Sequence, residues 1–398
     1  MPFSIPFSGL LFHLRRRRAV LTIGNTFIRC ALLFSRRARR LRLNPPPLLR
    51  YTGRERREKL MDALQFVPIL MFGFAASLGL TPLSRQVAMR LGVVDKPNQR
   101  KIHLDHKPLM GGLAIYAALA LSLLLFSPPQ HMAEFGAVLA GAAFLALVGL
   151  MDDRYNLGIR IRLLAMTLAA LALVAVGIQI RLFNMPLVDI PLTILWVLTV
   201  TNATNFMDNM DGLTAGFSAI CAAFFLVIAL MQGLTLVSSL AAALLGSAVG
   251  FLIHNFNPSS IFMGDMGALV LGFVLAVLGI KLRFSDLPVG ITWMVPLLAL
   301  ALPLFDITLV VVTRLMEGRS PAQAGKDHTS HRLMSLGLSQ RQTLLILYGA
   351  CAYFGLMALV VSAAPPDVAL GVGLANLALL GLLFVVMMIV RRRFQLNH

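Results

Sequence analysis

Four groups of carboxylates stand out in a chain that has few acids, 17 Asp and Glu among 398 residues. Asp152 and Asp153 are adjacent. Asp208 and Asp211 close residues 202–212, which also hold Asn202 and Asn205. Asp265 lies in Phe262-Met-Gly264-Asp265-Met-Gly267, and Asp306 follows Pro303-Leu-Phe with Arg314 eight residues on. Hard oxygen ligands, few in number and close to basic residues, suit Mg²⁺ shared with a diphosphate. Like charges side by side, as at Asp152-Asp153, can raise one pKa and make a proton acceptor. The i, i+3, i+6 spacing of Asn202, Asn205 and Asp208 gives a slowly turning stripe on one helix face. A basic counterpart exists in two places: Lys96, Arg100, Lys101 and His103, then Lys326, His328, His331 and Arg332. Any single one of these aspartates could equally be a helix cap or a solvated loop charge. It is their clustering that points to a site.

Other chemistries are excluded by spacing. Residues 318–327 have the wrong interval for a Walker A loop and Asp327 where Ser or Thr is required. No H-E-x-x-H occurs, and the two-residue gap between His328 and His331 does not make a zinc site. Cys30, Cys221 and Cys351 lie far apart and read as inert thiols, with no disulfide framework.

The elements that must carry these residues follow from composition. Apolar residues make up 58% of the chain and charged residues 13%, and the mean hydropathy is +0.80. Soluble domains hold about 45–50% and about 25% respectively, so lipid is the solvent for most of this chain. From Met61 onward there are eleven apolar runs of spanning length, at 61–81, 109–127, 133–151, 161–180, 187–207, 213–232, 235–254, 266–281, 290–313, 342–364 and 366–390. Backbone in lipid must satisfy its own hydrogen bonds, so the runs predict helices and an all-α polytopic membrane protein. The pair Gly246-x-x-x-Gly250 is a weak signal of close helix contact. Alternate connections then fall on opposite sides. One side, with the C-terminal tail, holds 17 basic residues and the other 3. That asymmetry makes the first side cytoplasmic, and each of the four carboxylate groups sits at a cytoplasmic helix end.

Residues 1–60 form a separate basic extension, with 14 Arg and 1 Lys against Glu55 and Glu58. The topology would place it outside, against the charge rule. A mis-assigned start, with Met61 the true one, is therefore favoured over a polybasic arm on anionic lipid. The overall charge of +18 thus gives no reason to expect nucleic acid as a partner.

Taken in order, the motifs resemble a known family. They are residues 95–103, Pro108-Leu-Met-Gly111-Gly112, Asp152-Asp153, residues 202–212, Phe262-Met-Gly-Asp265 and Asp327-His328-Thr-Ser-His331-Arg332. The chain is similar, over about residues 61–390, to the polyprenyl-phosphate N-acetylhexosamine-1-phosphate transferases, nearest the UDP-GlcNAc:undecaprenyl-phosphate branch. The resemblance implies a Mg²⁺-dependent cytoplasmic site, with Mn²⁺ a candidate substitute. It implies transfer of a sugar 1-phosphate from a UDP-sugar to undecaprenyl phosphate with release of UMP, in a bacterial inner membrane. By motif, Asp265 and Asn205 would hold Mg²⁺. Asp152 would be the base for the lipid phosphate, supported by Asp153. Asp208 and Asp211 would position nucleotide or metal. His328, His331 and Arg332 would hold the diphosphate, and Asn202 with the Lys96, Arg100, Lys101 and His103 loop would contact substrate. One departure is the sequence His-Thr-Ser-His-Arg, where members commonly carry consecutive histidines.

Three other readings compete. A phospho-MurNAc-pentapeptide translocase shares the family, but no peptide-binding stretch is evident in residues 317–341. An ion-coupled transporter would place its acids near the bilayer midplane, not at one face. A non-catalytic scaffold has no need of so one-sided an acid set. Whether the protein forms a homodimer is not legible in the sequence.

Overall fold

The computed structural model describes residues 63–95, 107–285, 287–323 and 325–394. The loop carrying Lys96, Arg100, Lys101 and His103 lies outside the described residues, as does the basic N-terminal extension. The described helices all belong to one unit, Met61–His398.

Every predicted span corresponds to a helix or to a broken run of helices. They are α1 Val67–Leu91, α2 Gly111–Phe126, α3 Met132–Tyr155, α4 Ile159–Ala175, α5 Pro186–Phe206, α6 Leu213–Gln232, α7 Thr235–Asn255 and α8 Gly264–Lys281. The ninth span is divided into α9 Val289–Thr292, α10 Met294–Ala299 and α11 Ala301–Met316. A short α12, Thr329–Ser335, precedes α13 Gln340–Ala363 and α14 Pro366–Phe394. Between α1 and α2 a two-residue antiparallel ladder pairs β1 Val94–Asp95 with β2 Lys107–Pro108, in the register Val94 to Pro108.

Helix α8 is the centre of the bundle: 83% of its apolar window is buried, against 11% for α14 at the periphery. Helices α2, α3 and α5 pack around α8, while α1 lies along α7 and α6 lies between α7 and α13. Phe217, Phe225, Phe251 and Phe273 are fully buried and fill the interior. The weak glycine signal marks a real contact, because a Cβ at Gly246 or Gly250 would fall on the α1 backbone at Leu70 or Phe74. Small residues let two helices approach where lipid offers no hydrophobic drive.

Two departures from the sequence reading share one cause. Proline lacks an N–H and leaves the carbonyl four residues earlier without its helical partner. Helix α1 continues ten residues past the predicted end at 81, straight through Pro82. The carbonyl freed there, that of Leu78, lies 3.1 Å from His254 Nε2 on α7. The ninth span, expected as one helix over 290–313, instead bends by 80° between α10 and α11. Pro303 frees the Ala299 carbonyl, which accepts the Cys221 thiol at 3.1 Å. Irregular backbone at membrane depth persists only where protein surrounds it, and Ala299 and Leu300 are both buried. Cys221 also sits 3.6 Å from Cys351, and both are free, buried thiols as expected.

Candidate active site

The site is built on the N-terminus of α8. The first amides of a helix have no partner within it and need an acceptor from elsewhere. Asp153, at the end of α3, supplies one. Its Oδ1 accepts the Asp265 N–H at 2.9 Å and its Oδ2 the Met266 N–H at 3.3 Å. Close approach of the two helices requires Gly149, where a Cβ would overlap the Asp265–Met266 backbone. Gly264 enters α8 with φ +71°, a conformation that disfavours other residues.

This cap fixes the Asp265 side chain beside three others. Asn205, in the last turn of α5, donates its amide to Asp265 Oδ1 at 2.6 Å. Arg162 of α4 stands between two carboxylates, with Nη1 2.9 Å from Asp152 Oδ2 and 3.5 Å from Asp265 Oδ2. Asp208, in the turn after α5, is half-buried. Burial and the facing Asp265 carboxylate push its carboxyl up to about 7. Asp152, Asp153, Asp208, Asp265 and Asn205, predicted from sequence, are therefore brought together. Arg162 reads from sequence only as one of the basic residues counted on the cytoplasmic side, at a helix start. Its place with Arg160 in the first turn of an otherwise apolar helix is the signal that could have found it.

Whether the donor set suits a divalent cation can be judged from its chemistry. Arg162 pairs with two of the carboxylates, Asp152 and Asp265, and burial together with the facing Asp265 raises the Asp208 carboxyl. Among the described residues no three His, Cys, Asp or Glu side chains form a metal cage. A small hard cation bound through one or two carboxylates, with waters and substrate phosphates completing its shell, needs no such cage. The residues fit Mg²⁺ of that kind.

Other predicted residues lie elsewhere. Asp211 is buried and binds the loop between α7 and α8. It accepts the Ser259 N–H at 3.0 Å, the Ser259 hydroxyl at 2.9 Å and the Asn257 amide at 3.3 Å. Lys107, not singled out from sequence, is 3.8 Å from Asp211 and 5.0 Å from the Phe262 ring. Asn202 donates to the Leu198 carbonyl at 2.8 Å. It lines a groove with Leu163, Leu198, Phe206 and Ile307, between α4, α5 and α11, and does not join the carboxylates.

The histidine segment divides in two. His328 is buried with Nδ1 2.8 Å from Asp306 Oδ2, and its ring meets Phe206 and His331 edge-on. Ser330 donates to Asn209 at 2.8 Å, which ties α12 to the turn carrying Asp208. Burial, with His328 and Lys326 nearby, pushes the His331 imidazole down to about 4, so it is neutral near pH 7. Arg332 departs from the expected diphosphate contact. It is 0% exposed, and its donors go to the carbonyls of Asp327 and Met387 and the Thr313 hydroxyl. Burial pushes its guanidinium down to about 10. Asp327 is equally committed, accepting from Arg314 at 2.9 Å, Arg319 at 2.8 Å and Arg391 at 2.5 Å. Burial opposes its charge, yet these arginines hold the carboxyl far below the usual range.

Residues 135–283, which carry the Asp152–Asp265 constellation, match the glycosyl transferase family 4. A probable undecaprenyl-phosphate N-acetylglucosaminyl 1-phosphate transferase of Bacillus subtilis is 32% identical over 310 residues, covering 76% of this chain and 86% of that protein. The decaprenyl-phosphate N-acetylglucosaminephosphotransferase of Mycolicibacterium smegmatis is 30% identical over 66% of this chain and 74% of its own. The undecaprenyl-phosphate alpha-N-acetylglucosaminyl 1-phosphate transferase of Escherichia coli K12 is 28% identical, with 68% and 76% covered. With its motifs in place and a relative matched over nearly its full length, this chain belongs to glycosyl transferase family 4.

Proposed function

We propose that this protein transfers N-acetylglucosamine 1-phosphate from UDP-N-acetylglucosamine to undecaprenyl phosphate and releases UMP. The reaction takes place at the cytoplasmic face of a bacterial inner membrane and starts a lipid-linked glycan. The observation that carries the reading is the meeting of Asp152, Asp153, Asp208 and Asp265 with Arg162 and Asn205 at one end of the bundle. The named substrates of the family's relatives support it.

In the reaction an oxygen of the acceptor phosphate attacks the sugar-bearing phosphorus. The bond from that phosphorus to the bridging oxygen breaks, its electron pair leaves with UMP, and the lipid and sugar end joined by a new diphosphate. Asp152 is the side chain available to take a proton from the acceptor phosphate. Arg162, 2.9 Å away, holds that carboxylate in place and offers charge to an incoming phosphate. Asp153 holds the entry of α8 and thereby aims Asp265. Asp265 with Asn205 would hold Mg²⁺. Mg²⁺, when bound, supplies positive charge against that on the diphosphate and the departing UMP. His328 supplies a ring nitrogen toward the same diphosphate.

The test is UMP release by purified protein given UDP-N-acetylglucosamine, undecaprenyl phosphate and Mg²⁺ in detergent, with a chelator control. Release that stops on chelation is expected. Turnover of a UDP-MurNAc-pentapeptide donor alone would overturn the sugar while leaving the reaction type. No turnover of either donor would overturn the function.

A further inference from the structure

A diphosphate contact at His328 requires a ring held in one orientation, and the carboxylate group around Arg162 does not hold it. Asp306 does. It lies on α11, beyond the break in the ninth span, and is 1% exposed. Its Oδ2 takes His328 Nδ1 at 2.8 Å, and its Oδ1 accepts the Thr329 N–H at 2.6 Å. These contacts come from consecutive residues, so one carboxylate sets both the ring and the entry of α12. Phe206 and His331 close on the ring with centroids 6.1 and 6.0 Å away. A carboxylate can only accept, so Nδ1 carries the hydrogen and Nε2 is the nitrogen left for a ligand.

We propose that Asp306 is a positioning residue for the donor's diphosphate. It acts through His328, fixing the tautomer and orientation of that ring, and touches no substrate itself. The inference rests on the proposed transferase function. A residue that merely capped α12 would serve the Thr329 amide alone. Asparagine in its place keeps one oxygen for two donors and so loses one of the two contacts.

The experiment is a double-mutant cycle on the full chain in detergent with Mg²⁺, read as equilibrium binding of labelled UDP and, in parallel, UMP. Asp306→Asn and His328→Ala should each weaken UDP binding on the order of tenfold, the scale of losing a residue that orients a working histidine. The double variant should be no weaker than His328→Ala alone, because the two residues act as one unit. UMP lacks the second phosphate, so its binding should change less than about twofold. Additive losses, equal weakening of UDP and UMP, or unchanged UDP binding would each overturn the proposal. If Asp306→Asn yields no folded protein, the ¹⁵N spectrum of wild-type His328 decides. A hydrogen on Nδ1 supports the proposal, and a neutral ring protonated only at Nε2 overturns it. A wild type that binds no UDP would overturn the functional reading and this inference with it. That result is distinct from wild type and variant binding UDP equally, which sinks the inference alone.

Discussion

Asp265→Asn exchanges a carboxylate for an amide of the same shape, beside an Asn205 amide that donates to it at 2.6 Å. If Asp265 helps hold the charge that offsets the diphosphate, UMP release should fall by about 100-fold or more, the scale of losing such a group. A variant that folds yet keeps more than about a tenth of the rate would remove Asp265 from that role. His331 gives a prediction of another kind. Its folded imidazole titrates near 4, below the ordinary 6.5, so between those values the unfolded chain binds a proton that the folded chain does not. Stability is therefore undiminished above about 6.5 and is lost as pH falls toward 4. His331→Gln should narrow the gap in melting temperature between pH 7 and pH 5, an effect of about 1–2 kcal/mol at pH 5. An unchanged gap would mean the ring is not buried neutral. At this scale the acids were legible because carboxylates are costly near lipid and must have a reason. Arg162 was not, since sequence does not reveal that one guanidinium joins Asp152 to an Asp265 that lies 103 residues away. The buried fate of Arg332 was equally hidden, because a motif fixes order and not the direction of a side chain.

The element most dependent on charge is the segment from Glu317 to α12. Asp327 binds Arg314 of α11, Arg319 of the loop and Arg391 at the end of α14, and Arg391 also grips Glu317 at 2.6 Å. Arg314 and Asp327 are 3% and 4% exposed, so removing one charge strands the other. Asp327→Asn should cost about 3–5 kcal/mol, as for a broken buried pair, and lower the thermal unfolding midpoint. Arg391→Ala, at an 18% exposed side chain, should cost less. Equal midpoints for Asp327→Asn and wild type would show that the arginines find other partners. All eleven predicted runs fall on a helix or a broken run of helices, because apolarity is a sequence property. Among the described residues eight of these helices, or nine with the bent pair taken as one, are long and apolar enough to cross a membrane, and α2 and α4 are shorter than expected. The break at Leu300 and the passage of α1 through Pro82 were not legible. Each depends on a partner for one freed carbonyl, Cys221 in one case and His254 in the other, and those partners come from distant helices.

For the whole molecule, the charge asymmetry between helix ends predicts that the end holding Asp265 and Arg391 faces the cytoplasm. Single cysteines at positions 181 and 341, in a chain with the native cysteines replaced, test this with a membrane-impermeant maleimide on intact spheroplasts. Labelling at 181 but not 341 is expected. The reverse pattern would invert the topology and remove the substrate side from the proposal. A bundle centred on α8 also explains why the carboxylate group is assembled only once α8 has packed: its acids come from α3, the turn after α5, and α8, with Arg162 from α4.

Asp152 and Asp153 look like one feature when written as letters, yet they do different work. One faces Arg162; the other is spent on the amides that open α8. A screen that scores only turnover would rank their loss alike, since a misplaced Asp265 is as silent as a missing base. Asking each variant for a melting curve as well should separate them. Asp153→Ala should fail at the fold and be partly recovered by serine, which can still accept an amide hydrogen, whereas Asp152→Ala should remain well folded and gain nothing from serine. In this pair, tolerance to substitution would report architecture at one position and chemistry at its neighbour.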